Sequence, residues 1–147
     1  MGSVAKKRSR KIHIRELTDE DMEAALAIDK KIVGKERAMT YKDPMNFYLG
    51  GELSMSFVAE VDGKIVGFAV ARLRDPDTGW LQAVGVDPEY RGHGIGAKLV
   101  EAVFARCRSK GAKTVHTVAS WRDWWMLSFL NSLEFSRGEM VDLQKTL

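Results

Sequence analysis

Cysteine is almost missing from this sequence: Cys107 stands alone among 147 residues. A single thiol excludes an internal disulfide and fits a reducing compartment, so a cytoplasmic location is expected. Histidine is nearly as scarce. Three scattered histidines and one cysteine cannot be arranged at the ligand spacing of a structural zinc site, so no metal is expected. Long apolar runs are lacking too. None approaches the roughly 18 residues needed to span a bilayer, and the N-terminus has no apolar signal-peptide core. What is present is the balance of a soluble globular protein, 45% hydrophobic and 29% charged. The length suits one domain with a single core.

The formal net charge is +3, but it is unevenly spread. Lys6, Lys7, Arg8, Arg10 and Lys11 lie in a stretch without acids, and subtracting these five from +3 leaves the body at −2. Residues 1–11 are therefore expected as a disordered basic tail ahead of a folded domain over residues 12–147. Such a tail either steers toward anionic surfaces or is simply solvated, and the second reading is the simpler. No basic face is implied for the folded part, so neither nucleic acid nor membrane is an expected partner.

Residues 12–17 alternate and predict a first strand. Thr18 with Asp21 is a capping-box signature, and Met22, Ala25, Leu26, Ile32 and Val33 form an apolar stripe at a helical period. Gly34 is the expected stop. Asp29 falls inside this stripe, where a carboxylate is unexpected; it either caps a neighbouring loop or faces a bound amine. Residues 41–49 predict a second short helix. Residues 57–61 and 64–73 predict two strands joined at Asp62-Gly63, a pair suited to the positive φ angles of a type I′ turn. Residues 74–79 form a turn cluster before a strand over 80–86. A helix is expected from Gly94 to about Lys110, burying Ile95, Leu99, Val100, Val103, Phe104 and Cys107 and stopping at Gly111. Cys107 on that stripe reads as a core residue. A strand over 112–119, a helix over 122–133 and a closing strand over 139–147 complete the chain.

The informative stretch is Val84-Gly85-Val86-Asp87-Pro88-Glu89-Tyr90-Arg91-Gly92-His93-Gly94-Ile95-Gly96-Ala97. It runs from a strand through a glycine-rich turn into a helix. Glycines there let the backbone approach a ligand, and the first helical amides are unpaired donors with partial positive charge. A pyrophosphate is the natural occupant. A Walker loop is excluded because no Lys-Ser or Lys-Thr follows. Gly92-x-Gly94-x-x-Ala97 matches a dinucleotide fingerprint on paper, but several residues separate it from the strand and no acid ends the next strand.

Arg91-x-x-Gly94-x-Gly96, after a strand ending in Val86-Asp87-Pro88, resembles the acyl-CoA motif of the GNAT superfamily of N-acetyltransferases. The order of expected elements over residues 12–147 is also similar to that family. The resemblance implies an α/β fold with a mixed, mostly antiparallel twisted sheet, splayed at the cofactor site and flanked by about four helices. It implies that the Val84, Gly85 and Val86 segment pairs with the pantetheine arm. It places the pyrophosphate on Arg91, Gly92, His93, Gly94, Ile95, Gly96 and Ala97. The splay would lie between residues 80–86 and 113–119.

Chemistry is where the sequence departs from that family. Aligning Phe135 with the family's closing Gly-Phe pair puts Asp123 at an Asn position associated with the cofactor, Met126 at an Ala and Leu130 at a Tyr. The phenolic acid that would protonate the thiolate is therefore missing. Trp80 and Val118 occupy places where some relatives carry a glutamate, so no catalytic residue is assigned. Without a strong base a low-pKa or α-amine is the easier acceptor, since a lysine amine near ~10.4 is almost wholly protonated at pH 7.

Trp121, Trp124 and Trp125 cluster after the splayed strand, and Trp80 begins the opposite one. Their ordinary reading is core or homodimer packing; the functional one is that Trp80 and Trp121 wall an acceptor site together with Asp29. Two functions stay open. One is an N-acetyltransferase that uses acetyl-CoA as acyl donor for a small-molecule amine or a peptide or protein N-terminus. The other is a non-catalytic acyl-CoA-binding sensor.

Overall fold

The computed structural model describes residues 11–40 and 55–147, with the side chains of residues 33–40 outside that description. Residues 1–10 of the expected basic tail and the expected helix over 41–49 lie outside the described residues. The chain divides into two compact units, one running to Thr117 and one comprising Val118–Leu147.

The larger unit is a five-stranded mixed sheet in the order β1-β2-β3-β4-β5. Strands β1 (Ile12–Glu16), β2 (Phe57–Val61), β3 (Lys64–Asp75) and β4 (Thr78–Val86) are antiparallel neighbours. β5 (Thr114–His116) runs parallel to β4. The β2–β3 turn is the expected one, with φ of 52° at Asp62 and 76° at Gly63. β3 and β4 are each longer than the sequence suggests, because the antiparallel ladder extends to Asp75↔Thr78 and leaves only Pro76 and Asp77 to turn. Propensity marks turn formers; it does not show how far a neighbour's ladder will carry them.

α1 (Met22–Thr40) follows a single turn of 3-10 helix at Asp19–Asp21. The N–H and hydroxyl of Thr18 both donate to Asp21 Oδ2, at 2.8 and 3.0 Å. Arg15 reaches the same carboxylate through Nη1 and Nη2 at 2.8 Å each, and its Nε donates to Glu60 at 2.7 Å. Gly34 does not end α1, contrary to expectation. A glycine inside a helix costs only about 1 kcal/mol, and strong helix formers such as Lys35, Glu36, Arg37 and Ala38 follow it.

The two faces of the sheet are covered by different helices. Leu17, Met22, Ala25 and Ile28 pack with Val58, Phe68 and Val70, and Ile32, Ile65 and Ala83 join them. Ile28 thus belongs to the buried stripe, while Leu26 is only half-buried. On the opposite face lies α2 (Ile95–Ser109), which buries Ile95, Leu99, Val100, Val103 and Cys107 as its periodicity predicts, while Phe104, expected in the same stripe, is only half-buried. Close approach depends on glycines here. A Cβ on Gly79 would stand 2.6 Å from Cys107 Sγ, and one on Gly67 would stand 3.0 Å from Leu99 Cδ1. Burial pushes the Cys107 thiol up, which fits a core residue and not a nucleophile.

The smaller unit contains α3 (Trp124–Ser132), which Asp123 caps by accepting the Met126 N–H at 3.0 Å. The closing strand expected over residues 139–147 is not formed: those residues carry no strand. Alternation supplies a face, but a strand also needs a ladder partner, and that is a tertiary matter. Three α-helices are present among the described residues, against the four or so expected.

Candidate active site

The antiparallel neighbour β3 ties up only half of the peptide groups of β4. In the β3–β4 register Val86 lies opposite Gly67, Gly85 opposite Phe68 and Val84 opposite Ala69. The Asp87 N–H donates to the Val66 carbonyl at 2.8 Å. Counting back by twos, Gly85 and Ala83 also face β3, whereas the N–H and C=O of Val84 and Val86 point away from it. The β4–β5 ladder runs only from Thr78↔Thr114 to Trp80↔His116. Beyond it the Leu81 carbonyl accepts the Thr117 hydroxyl at 2.8 Å. The sheet therefore splays after Trp80, and the Val84 and Val86 peptides front a gap where an extended amide-bearing chain can pair.

A bulge shapes the same place. Val70 pairs with Ala83 but Ala71 with Leu81, so Gln82 is an extra residue in β4. The indole N–H of Trp80 donates to Gln82 Oε1 at 2.9 Å, and the Arg74 guanidinium lies 5.3 Å from the Trp80 ring centroid. Trp80 is half-buried.

Beyond β4 the chain makes a tight knot. Asp87 is only 1% exposed, and each polar group of it is used. Its N–H joins β3, its carbonyl accepts the Tyr90 N–H at 2.8 Å, and its Oδ1 accepts the Glu89 N–H at 3.1 Å. Its Oδ2 accepts Lys31 Nζ of α1 at 3.1 Å. Burial pushes this carboxyl up, but the Glu89 N–H and the Lys31 ammonium outweigh it and hold it below its usual range. The carboxylate in turn raises Lys31. Asp87 caps the short 3-10 turn Pro88–Tyr90, with Pro88 at the first position where its missing N–H costs nothing. Tyr90 lies under Lys64, whose Nζ is 5.6 Å from the ring centroid.

From there the loop crosses Arg91, Gly92, His93 and Gly94, all exposed, and enters α2. Gly92 and Gly94 have φ of 85° and 74°, and a Cβ on either would meet nothing within 4 Å. They are needed for their left-handed backbone, not for lack of room. The first helical hydrogen bond runs from the Lys98 N–H to the Gly94 carbonyl, leaving the amides of Ile95, Gly96 and Ala97 without a helical acceptor. Ile95 is buried while Gly96 and Ala97 are half-buried. These amides carry the positive end of a 15-residue helix, an arrangement that can accept an anion.

The larger unit thus brings together Val84, Val86 and the segment from Arg91 to Ala97 at one β4–α2 junction. Gly85 plays a different part from the one its position in the motif suggests. Its peptide faces β3, and its missing side chain makes room for Phe68 and Ile32, which a Cβ would meet at 2.8 and 2.9 Å. Asp29 is half-buried on α1, as its place in the stripe implies. Asp123 and Trp121 belong to the smaller unit, where Asp123 caps α3 and Trp121 is exposed. Among the described residues no group of three or more His, Cys, Asp or Glu side chains could hold a metal, and no helix is long and apolar enough to cross a membrane.

The Asp87–Lys31 pair and the Gln82 bulge escaped the sequence reading. Asp-Pro-Glu is a readable cap signal. Nothing in sequence points from Asp87 to a lysine 56 residues away, and a bulge is visible only once the register is known.

Residues 14–124 match the profile of the Acetyltransferase (GNAT) family. The chain belongs to that family. It is 40% identical over 65 residues to an L-2,4-diaminobutyric acid acetyltransferase of Nocardia farcinica, a match covering 43% of this chain. The chain spans only 34% of that relative's length. An acetyltransferase of Pectobacterium atrosepticum is 24% identical over 139 residues, covering 92% of this chain and 96% of its own. In fold, the chain is similar to the aminoglycoside N-acetyltransferase AAC(6')-Iy in complex with CoA. The TM-score is 0.77 at 20% identity, covering 94% of this chain and 96% of that one. The mixed sheet and its helices are thus those of GNAT acetyltransferases.

Proposed function

We propose that this protein is an N-acetyltransferase that takes acetyl-CoA as donor and passes the acetyl group directly to an amine. The observation that carries the reading is the open edge of β4 leading to the N-terminus of α2. The Val84 and Val86 peptides suit the amides of a pantetheine arm, and the Gly92–Gly94 turn with the amides of residues 95–97 suits the diphosphate. The relatives named above act, by name, on diaminobutyric acid and on aminoglycosides, which are amines.

In this geometry the thioester lies where the ladder parts, near Leu81 and Gln82. A neutral amine adds its lone pair to the thioester carbon, the C–S bond breaks, and the amine's surplus proton leaves as the thiolate gains one. Peptide N–H groups of β4 stabilise the developing oxyanion. Leu130 stands where the resemblance places a phenol, and it is buried. The departing thiolate is therefore protonated from solvent, tolerable for a thiol near ~8.5. With no carboxylate assigned as base, an α-amine near ~8 is about 10% free at pH 7 and is the easier acceptor. That missing acid and base also favour a second reading, an acyl-CoA-binding sensor without turnover.

A thiol-release assay over a panel of amines, with acetyl-CoA binding measured by calorimetry, decides between them. Turnover with α-amines preferred over lysine ε-amines is the expected outcome. Binding without turnover on any amine supports the sensor, and a clear ε-amine preference refutes the α-amine assignment.

A further inference from the structure

The short ladder between β4 and β5 has three rungs, Thr78↔Thr114, Gly79↔Val115 and Trp80↔His116, and the sheet parts directly after the third. Register is unbroken over these rungs, so the facing of one pair fixes the next. Gly79 and Val115 face α2: a Cβ on Gly79 would stand 2.6 Å from Cys107 Sγ and 3.3 Å from Val115 Cγ2. Leu81, two residues on, closes the same side and is 2% exposed. Trp80 and His116 therefore point to the other face, side by side on strands about 4.8 Å apart. With the α2 side filled, theirs is the open face at the point where the strands separate.

The groups around this point differ in what they can do with a proton. Trp80 is held by its N–H to Gln82 Oε1 at 2.9 Å and by Arg74 against its ring, and an indole offers no acceptor nitrogen. The Thr117 hydroxyl is committed to the Leu81 carbonyl at 2.8 Å. At the far end of β4 the Asp87 carboxylate is spent on Lys31 and the Glu89 N–H. His116 is exposed. A neutral imidazole keeps one nitrogen free to accept a proton, and it is the side chain best suited to proton exchange near neutral pH.

We infer that His116 is the general base of the transfer, a part that no carboxylate fills. The inference rests on the acetyltransferase reading, which puts the thioester where the ladder parts. As the amine lone pair bonds to the thioester carbon, the nitrogen becomes cationic and its N–H far more acidic. The imidazole nitrogen without a hydrogen takes that proton. The C–S bond then breaks and coenzyme A leaves as the thiolate. The thiolate gains a proton from solvent and the imidazolium returns one, so the proton count closes. Because the imidazole acts once the amine has attacked, it does not free a protonated lysine amine, and the preference for an α-amine stands.

The test uses the full chain with acetyl-CoA and the amine of the panel that the wild type turns over fastest. His116→Gln should lower kcat roughly a hundredfold, while the calorimetric Kd for acetyl-CoA and the Tm stay at wild-type values. Free imidazole added to His116→Ala should restore part of the rate, a response that lost packing would not give. His13→Gln, an exposed histidine on β1 three strands away, should keep full activity. Full turnover by His116→Gln would overturn the inference and leave the acetyltransferase reading intact. A loss of rate that imidazole does not restore, or that follows weakened acetyl-CoA binding, would do the same. Wild-type protein that binds acetyl-CoA and turns over no amine would overturn both.

Discussion

Replacing Asp87 tests whether the knot after β4 serves the cofactor loop. In Asp87→Ala the Glu89 N–H loses its cap acceptor, which costs about 1 kcal/mol. Deleting a buried side chain that is 1% exposed adds a small cavity worth on the order of 1 kcal/mol. The tie to α1 through Lys31 goes as well, but that ammonium is half in solvent and contributes the smaller share. The sum, about 2 kcal/mol, should lower Tm by roughly 4–8 °C in a domain of this size. Asp87→Asn keeps the shape and an oxygen for Glu89, so it should fall clearly less. The same loss frees the segment that leads into Gly92 and Gly94, so acetyl-CoA affinity should weaken several-fold in the alanine variant, up to about tenfold per 1.4 kcal/mol. Thermal unfolding and calorimetric titration with acetyl-CoA measure both. An alanine variant with wild-type Tm and Kd, or an asparagine variant as impaired as the alanine one, would refute the reasoning.

Two further outcomes are expected. Gly92→Ala and Gly94→Ala force a side chain into left-handed backbone at φ of 85° and 74°, costing about 1 kcal/mol each. Acetyl-CoA Kd should rise roughly fivefold, whereas Gly63→Ala, equally strained but in the β2–β3 turn, should lower Tm and leave Kd alone. The hydrogen bonds from Arg15 hold Asp21 at about 2 against the opposing effect of burial. A carboxyl depressed in the folded state stabilises above its unfolded pKa near ~3.9 and loses that contribution as pH falls toward its folded one. Denaturation by urea should therefore show about 2 kcal/mol of stability lost between roughly pH 5 and pH 2 that is missing in Asp21→Asn. An unchanged pH profile in that variant would show that the Arg15 pair is not the source.

Much of the fold is local and was written in the chain. The Asp62-Gly63 turn, the apolar stripe of α2 and the glycines ahead of it each follow from the conformations that individual residues allow, and those constraints act whatever surrounds them. The candidate diphosphate site is legible for the same reason, being one continuous loop running into a helix. Other features depend on partners distant in sequence. Strand lengths at Asp75 and Thr78, the Gln82 bulge and the parting of β4 from β5 are properties of a ladder, and a ladder exists only between strands. Residues 139–147 alternate and yet form no strand, which is the same lesson with the opposite sign. The sequence singled out Trp80 and Asp29 by residue type alone; the register placed Arg72 opposite Trp80. Side-chain direction in a sheet alternates between bulges, so a pairing fixes its neighbours only as far as the next irregularity. The candidate cofactor loop is thus a statement of local sequence, and the open edge of β4 a statement of tertiary register.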